Sequence, residues 1–285
     1  MARILIAGCG YVGASAAMYF RERGWEVEGW TASADSAAKL SQESGLAVRG
    51  VDITDSSAVS RVARDFDVVV HSVSSRGGSE EEYRRLYFEG GRNLLRAFPK
   101  STLIFTGSTS VYAQADGSVV DENSPAEPSH QKGRILRETE QLVTAAGGIV
   151  VRLGGLHGPG RSYFLTRFLE GTGIVRGNEN RFINQVHRDD VVSALGLLAD
   201  RRSGCGVEVY NVVSDSPITA QQANQWLSAR LKKPIPPPAE TAKSRTRGES
   251  NKQVSNRKLR ALGWSPRYPT FAAAMEESIL PSFGF

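Results

Sequence analysis

Short apolar runs alternate with helix-periodic segments through the first half of the chain. The apolar runs predict six strands, at Arg3–Ala7, Glu26–Thr31, Leu46–Gly50, Asp67–His71, Thr102–Thr106 and Ile149–Leu153. Apolar residues at helical spacing predict the intervening helices, at Val12–Arg23, Ala34–Ser44, Ser56–Arg64, Glu80–Phe98 and Gly133–Ala146. Strands that are separated by helices are joined by parallel, right-handed crossovers. The pattern therefore predicts an α/β fold with a doubly wound parallel sheet and helices on both faces.

The pattern loosens after Leu153. One late strand is predicted at Val207–Val212, with helices at Ser162–Glu170, Asp189–Asp200, Ala220–Leu231, Ser255–Leu262 and Thr270–Ile279. We therefore divide the chain into a nucleotide-binding domain, residues 1–153, and a region that is mostly cap, residues 154–285, with segments that return to the first domain. Open α/β sheets bind ligands at the carboxyl ends of their strands, so a small C-terminal substrate-binding cap there would close a cleft.

Composition narrows the class of protein. The 285 residues are 40% hydrophobic and carry a net charge of +5, as expected for a globular chain. The basic stretch from Lys243 to Arg260 has no interleaved aromatic residues, which favours a solvated surface over nucleic-acid binding. Cys9 and Cys205 lack metal-ligand spacing, so we predict no metal site and a reducing compartment. No apolar run could span a bilayer, so we expect a cytoplasmic protein that does not bind membranes.

Gly8, Gly10 and Gly13 form a Gly-x-Gly-x-x-Gly motif that follows a strand and opens a helix. In that context the first glycine permits a tight turn, the second lets the backbone approach a pyrophosphate, and the third lets the helix pack on the strand. Tyr11 and Val12 then belong to the helix N-terminus, where free N–H groups face the anion. The motif predicts a Rossmann dinucleotide site; the alternative is a strand–helix turn with incidental glycines.

The choice of dinucleotide depends on the end of the second strand. An acid there would bind the ribose diol of NAD, but the chain has Thr31 and, two residues later, Ser33. Both hydroxyls can donate to a phosphate, so we favour NADP over NAD, although no arginine is present for the 2′-phosphate. Asp52, after the third strand, could accept from the adenine amine or serve as a turn residue.

Five later segments carry a family resemblance. They are Ile104–Tyr112, Arg152–Leu153 with His157–Arg161, Val186–Val191, Tyr210–Val212 and Leu262–Pro266. In this order, and together with the glycine loop, they resemble the extended short-chain dehydrogenases/reductases, the NAD-dependent epimerase/dehydratase group. The resemblance covers nearly the whole chain.

The resemblance implies a Ser, Tyr and Lys site, with Tyr and Lys four residues apart on one helix. Ser108 matches the Ser, which would orient a substrate oxygen. Counting back eight and four residues from Glu138 gives His130 and Arg134, so the chain is an atypical member. His130 could carry a proton and Arg134 could hold the ribose as a fixed cation. Alternatively the dyad has decayed and His130 only caps the helix. Two phenols are further candidates for the missing tyrosine, Tyr112 and Tyr163.

Each of three other side chains could contact a ligand or have no role in binding. His71 ends a strand near the predicted cofactor, where it could contact the cofactor or simply pack. Arg161 and Arg181, in predicted cap loops, could hold a phosphate or carboxylate of the substrate or lie on the surface.

The sequence is consistent with two functions. One is an NAD(P)-dependent oxidoreductase or epimerase that acts on a carbonyl or carbinol carbon, with a sugar or sugar nucleotide implied by the resemblance. The other is a non-catalytic NAD(P)(H)-binding sensor. The resemblance also implies a homodimer through the helices at Glu80–Phe98 and Gly133–Ala146.

Overall fold

A computed structural model describes residues 1–75, 77–172, 179–201, 208–238 and 250–285. Within these ranges seven parallel strands form the central sheet: β1 (Arg3–Ala7), β2 (Glu26–Thr31), β3 (Ala47–Gly50), β4 (Val68–His71), β5 (Thr102–Ser108), β6 (Ile149–Leu153) and β7 (Glu208–Val212). The strand order is β7-β6-β5-β4-β1-β2-β3. The predicted doubly wound α/β sheet is confirmed, and its order reverses between β1 and β4, where such sheets form a ligand crevice.

Helices follow the strands in the predicted order. They are α1 (Tyr11–Glu22), α2 (Ala34–Ser44), α3 (Ser56–Val62), α4 (Glu80–Tyr83, the π-helical Arg84–Glu89 and Gly90–Ala97), α5 (Gln131–Ala145), α6 (Tyr163–Leu169), α7 (Arg188–Arg201), α8 (Ala220–Leu231), α9 (Arg257–Ala261) and α10 (Phe271–Ala274, the π-helical Met275–Ile279 and Leu280–Ser282). The π segments inside α4 and α10 were not predicted, because π-bulges have no periodicity of their own in so short a stretch.

Two apolar layers cover the sheet. Along β1, Ile4 and Ile6 belong to one buried cluster and Leu5 to the other, as the two-residue period of a strand requires. The first cluster contains Phe20 of α1, and α1 packs alongside α7. The second contains Leu136 of α5. Burial on both faces explains why the strands appear in the sequence as continuous apolar runs.

The C-terminal part of the chain adds a third buried cluster, which joins α6, α8 and α10. Short strand pairs connect it to the sheet: Gly155–His157 with Gln185–His187, and Phe182–Ile183 with Ile218–Thr219. Meanwhile α7 lies against α1 and β7 joins the central sheet. The domain boundary after residue 153 stays a prediction. None of the helices in the described ranges has the length and apolar character needed to cross a membrane.

Candidate functional site

The glycine loop lies between β1 and α1, and two of its glycines are required by packing. Gly8 has φ +106°, and a Cβ there would lie 2.6 Å from the backbone nitrogen of Val73. A Cβ at Gly13 would lie 2.1 Å from the carbonyl oxygen of Gly8. Neither position has room for another residue, so these two glycines shape the turn and seat α1.

Gly10 is different because no contact within the protein requires a glycine there. Its φ is −89°, and a Cβ would meet no atom within 4 Å. This space adjoins the start of α1, where the first N–H groups have no intrahelical acceptor. A Cβ would fill the approach to those N–H groups. The loop therefore fits the diphosphate of a dinucleotide, with Tyr11 and Val12 in the first turn of the helix.

The predicted adenosine-side residues have local partners. The Thr31 hydroxyl donates to the Ser33 carbonyl oxygen at 3.0 Å, and the Ser33 hydroxyl accepts from the Ser36 N–H as the N-cap of α2. Asp52 accepts from the Thr54 N–H at 2.9 Å and from its hydroxyl at 2.8 Å. All three side chains lie at the ends of β2 and β3, yet each has a structural role. Their contacts with a cofactor stay predictions.

His71 ends β4 and is completely buried. Its Nε2 lies 3.2 Å from the Leu86 carbonyl oxygen, and its ring is 5.2 Å from that of Phe105. Burial lowers the pKa of His71 to about 4, against the opposing effect of that hydrogen bond, so the ring is neutral near pH 7. His71 is thus a packed residue, and its predicted contact with the cofactor is untested.

Ser108 is the last residue of β5 and is half-buried at the carboxyl edge of the sheet. It pairs in register with Leu153 of β6, and its hydroxyl accepts from the Ser110 N–H at 3.2 Å. The strand extends two residues beyond its predicted end at Thr106, and this extension brings Ser108 to the edge where ligands bind in such sheets.

His130 and Arg134 occupy the first turn of α5. His130 is the N-cap, and its Nδ1 accepts from the Gly133 N–H at 3.0 Å. Arg134 is exposed and donates to the carbonyl oxygens of Pro128 and Ser129 at 3.4 and 3.3 Å. It lines an outer groove of about 330 Å³ together with Glu138. The arginine therefore lies on the outer face of the helix, and its predicted role at the ribose stays a prediction.

The acid of α5 that faces inward is Glu140. Glu140 is fully buried and pairs with Arg152 of β6, whereas the side chain of Glu138 is 41% exposed. Counting back eight and four residues from Glu140 gives Lys132 and Leu136. These three positions are four apart and share one face of α5, which packs against β5 and β6. Lys132 is half-buried, and its Nζ lies 5.2 Å from the centre of the Tyr83 ring.

Neither phenol considered from the sequence is free at the site. Tyr112 is buried, donates to the Asn211 side-chain oxygen at 3.0 Å and accepts from Arg152 at 2.8 Å. Burial raises its pKa. Tyr163 begins α6 and is 57% exposed. Tyr112 is therefore held in a buried hydrogen-bond network, whereas Tyr163 lies on the surface.

The two predicted substrate arginines lie in different places. Arg161 stacks over the Tyr11 ring, beside the glycine loop. Arg181 is half-buried close to Lys252, whose amine is buried and donates to the Tyr112 carbonyl oxygen at 2.9 Å. Burial, together with the Arg181 charge, lowers the pKa of Lys252 to about 8. The expectation of a solvated basic stretch is thus wrong for Lys252.

Two other basic residues of that stretch contact the rest of the chain. The Lys258 amine donates to the Val209 carbonyl oxygen, and Arg260 contacts Asp215. Lys243, Arg245 and Arg247 lie outside the described residues, as does Cys205.

Two buried histidines lie between the glycine loop and α10. His187 Nδ1 accepts from the Asp189 N–H at 3.1 Å, and its Nε2 is 2.9 Å from the Ser278 hydroxyl. The neutral ring therefore carries its proton on Nε2, which excludes a base directed at Ser278. The His157 ring is 5.9 Å from that of His187. Burial lowers the pKa of His157 to about 3 and that of His187 to about 4.

Comparison with known proteins agrees with this geometry. The model of the NAD-dependent epimerase/dehydratase family matches residues 4–212. The chain belongs to this family. Protein YeeZ of Escherichia coli K12 is 31% identical over 222 residues, which cover 74% of this chain and 77% of YeeZ. The resemblance drawn from the sequence motifs is confirmed.

Solved structures share the whole fold. A protein from Methylobacillus flagellatus, provisionally assigned as an NAD-dependent epimerase/dehydratase, superposes with a TM-score of 0.80 at 26% identity and covers 100% of this chain and 99% of its own. The UDP-glucose 4-epimerase of Thermus thermophilus, in complex with NAD, gives 0.78 at 21% identity over 96% of both chains. At that identity the similarity to the epimerase shows the fold alone.

Proposed function

We propose that this family member binds a nicotinamide dinucleotide along the carboxyl edge of the sheet and acts as an oxidoreductase or epimerase on a carbonyl or carbinol carbon. The open space at Gly10 carries the proposal, because packing explains Gly8 and Gly13 but leaves Gly10 unexplained unless a ligand approaches the backbone. The Thermus thermophilus epimerase, which has the same fold, was solved with NAD, and this supports the cofactor class.

Residues along the carboxyl edge of the sheet would bind different parts of the cofactor and the substrate. The N–H groups at the start of α1 would bind the diphosphate, and Thr31 and Ser33 would face the adenosine ribose, where their hydroxyls favour NADP. Bound nicotinamide would supply hydride exchange with the substrate carbon. Ser108 would hold the substrate oxygen at the end of β5. Arg161 and Arg181 remain candidates for an anionic substrate group, such as that of a sugar nucleotide.

Two side chains of α5 are candidates for the proton carrier. His130 uses Nδ1 to accept the Gly133 N–H, so the neutral ring carries its proton on Nε2 and can accept another only by losing the cap. Lys132 has no such constraint, and it lies on the same helix face as Leu136 and Glu140. Lys132 is therefore a candidate together with His130, and single variants of the two residues distinguish them.

Calorimetric titration with NADPH, NADP, NADH and NAD tests the cofactor. We expect binding of at least one, with the phosphorylated forms tighter if Thr31 and Ser33 contact a 2′-phosphate. Equal affinity for NADH and NADPH would remove the preference for NADP. Failure of all four to bind would overturn the proposed function, since the chemistry and the sensing role both depend on the cofactor.

A non-catalytic sensor of NAD(P)(H) is the second candidate. Arg134 favours it, because it stands where the family resemblance implies a ribose-binding lysine, and it is exposed and donates to the carbonyl oxygens of Pro128 and Ser129. A sensor would bind dinucleotide with no turnover on any of a panel of sugars, sugar nucleotides and simple carbonyl compounds. An enzyme would turn over at least one, and Ser108→Ala would slow that reaction while leaving cofactor affinity intact.

A homodimer through α4 and α5 also stays a proposal. Within one chain these helices already contact each other, and Arg84 pairs with Glu138 at 2.9 Å. Light scattering of the purified protein distinguishes a 31 kDa monomer from a dimer of twice that mass.

A further inference from the structure

Two arginines bracket the first residue of α1. The guanidinium carbons of Arg161 and Arg188 each lie 5.2 Å from the centre of the Tyr11 ring. The Tyr11 hydroxyl donates to the Pro159 carbonyl oxygen at 3.1 Å. One arginine comes from the loop after the short strand Gly155–His157, and the other begins α7. Two distant parts of the chain thus deliver cations to the residue that follows Gly10.

The loop that holds Arg161 is fitted closely to Tyr11. Gly158 has φ +153°, and a Cβ there would lie 2.6 Å from the Tyr11 hydroxyl oxygen. The Gly158 N–H donates to the Arg161 carbonyl oxygen at 2.9 Å, and the Gly160 N–H donates to the Ser282 hydroxyl at 2.9 Å. These contacts restrain the loop from both sides, so Arg161 is presented to the glycine loop by an ordered segment.

Positive charge exceeds negative charge around Tyr11. The charged groups that act on its hydroxyl are Arg161, Arg188 and Asp189, which gives two cations and one carboxylate. Asp189 accepts from Arg188 Nε at 2.8 Å, so it fixes that side chain by one edge and leaves the terminal nitrogens of the guanidinium for other acceptors. The helices α1 and α7 pack side by side and both begin here, so their dipoles add further positive potential.

We propose that Arg161 and Arg188 form the side-chain half of a diphosphate site whose backbone half is the loop at Gly10. This inference rests on the proposed function. Two cations near one ring repel each other, and Asp189 offsets only one of them, so a net positive charge remains that a diphosphate, with two negative charges, would balance. Guanidinium groups bind phosphate oxygens through paired N–H donors. Tyr11, the residue after Gly10, holds both groups near the start of α1.

The diphosphate could come from a dinucleotide or from a sugar nucleotide. We assign it to the dinucleotide, because Tyr11 directly follows Gly10 and the open space at Gly10 adjoins the same helix end. In this assignment Arg161 acts on the cofactor, in place of the substrate role considered from the sequence.

The test compares four variants with the wild type: Arg188→Gln, Arg188→Lys, Arg161→Gln and Arg23→Gln. Arg23 is the matched control, because it stacks over Tyr19 at 5.2 Å and contacts Asp200 at 3.4 Å near the opposite end of α1 and α7. Dissociation constants are measured by calorimetry for NADH, NADPH, ADP-ribose and UDP-glucose at two salt concentrations. Thermal unfolding confirms that each variant folds.

We expect Arg188→Gln and Arg161→Gln each to weaken dinucleotide and ADP-ribose binding by about tenfold and to reduce its salt dependence. Arg188→Lys should fall between, because it keeps the charge and loses the fork, and Arg23→Gln should bind within about twofold of the wild type. If the wild type binds dinucleotide and both glutamine variants match it, this inference is overturned while the proposed function stands.

Two further outcomes would overturn either the assignment to the dinucleotide or the proposed function. Weakening of UDP-glucose binding alone would overturn the assignment to the dinucleotide and give the arginines to a substrate. A wild type that binds no dinucleotide and no ADP-ribose would overturn the proposed function itself, together with the inference that rests on it.

Discussion

Glu140 and Arg152 form a bidentate ion pair inside the protein. The Nε and Nη2 atoms of Arg152 donate to the two Glu140 carboxylate oxygens at 2.9 and 2.7 Å. The side chains are 0% and 3% exposed, respectively. Arg152 Nη1 also donates to the Tyr112 hydroxyl, which in turn donates to Asn211. The network ties α5, β6, β7 and the segment after β5 together, and so it fixes which face of α5 is turned toward the sheet.

The first prediction concerns this pair. Arg152→Met removes the bidentate partner of a buried carboxylate and leaves it only the half-buried Arg137, whose Nη1 lies 3.0 Å from Glu140 Oε2, so we expect the free energy of unfolding to fall by up to about 3–5 kcal/mol. The double variant Glu140→Met with Arg152→Met should recover much of that loss, because no uncompensated charge remains. Urea unfolding measures both.

Arg84→Met is the control for that prediction. It breaks the Arg84–Glu138 pair, in which each side chain is 41% exposed, and should cost less than about 1 kcal/mol. If Arg152→Met cost no more than this control, the buried pair would not be fixing α5.

The sequence predicted the sheet and the glycine loop, but it did not predict which glutamate of α5 is buried. Continuous apolar runs such as Ile4-Leu5-Ile6, separated by helix-periodic segments, were sufficient to predict the sheet, and the context of the glycine motif was sufficient to predict the loop that opens α1. Glu138 and Glu140 cannot be distinguished in this way, because both lie on the same predicted helix and only packing shows which is buried. The count from Glu138 gives His130 and Arg134, whose roles stay predictions, and the burial of Glu140 adds Lys132 as a candidate.

Contacts between residues that lie far apart in the sequence could also not be predicted from the sequence pattern. Arg188 reaches Tyr11 because α7 packs alongside α1, and no local spacing indicates that contact. Lys252 appeared in a run of charges typical of a solvated surface, yet the strand pair Val119–Val120 with Gln253–Val254 draws its segment inward. The glycine loop could be predicted because its motif has a local geometry, with φ +106° at Gly8 and no room for a side chain at Gly13.

The second prediction separates folding from binding at the glycine loop. Gly13→Ala places a methyl group 2.1 Å from the Gly8 carbonyl oxygen, so we expect a loss of at least about 2 kcal/mol in the free energy of unfolding. Gly10→Ala meets no atom within 4 Å and has φ −89°, so stability should stay within about 1 kcal/mol of the wild type.

Gly10→Ala should reduce dinucleotide affinity even though it leaves stability nearly unchanged. Gly10→Ala fills the approach to the N–H groups of α1, and we expect binding to weaken by about tenfold or more. Calorimetry and urea unfolding of both variants provide the check. A Gly10→Ala protein that keeps full affinity would contradict the assignment of this space to the cofactor.

The third prediction is a loss of stability in mild acid. His71, His157 and His187 have pKa values of about 4, 3 and 4 in the folded state, because burial disfavours the charged ring. Their pKa in the unfolded chain is about 6.5, so the unfolded state binds more protons as the pH falls through that value. Each histidine should therefore lower the free energy of unfolding by about 2 kcal/mol between pH 7.5 and pH 5.

Protonation of Asp190 changes the free energy of unfolding in the opposite direction. Burial raises its pKa to about 6, although the backbone N–H groups of Arg267 and Tyr268 oppose the shift. The folded state takes up that proton first, so Asp190 offsets about 1 kcal/mol of the loss at pH 5. Urea unfolding at both pH values checks the net effect. His71→Phe should show a shallower dependence on pH, and a wild-type free energy that is flat over this interval would contradict the buried, neutral histidines.

The last prediction decides between His130 and Lys132 as the proton carrier. His130→Asn preserves the cap, because asparagine is a favoured N-cap residue, while it removes the ionisable ring. His130→Ala removes both and should cost about 1 kcal/mol of stability. Comparison of the two isolates the chemistry of the ring from the loss of the cap, and Lys132→Gln removes the amine that lies on the inward face of α5 near Tyr83.

On a substrate found by the panel, the true carrier's variant should lower kcat by about a hundredfold or more and abolish one limb of the pH profile of kcat, while NAD(P) affinity stays unchanged. The other variant should keep both limbs. If His130→Asn and Lys132→Gln both retain the wild-type profile, neither residue moves the proton. If no substrate turns over with any variant or with the wild type, the sensor is the better account of a chain that has Arg134 where the family resemblance implies a lysine.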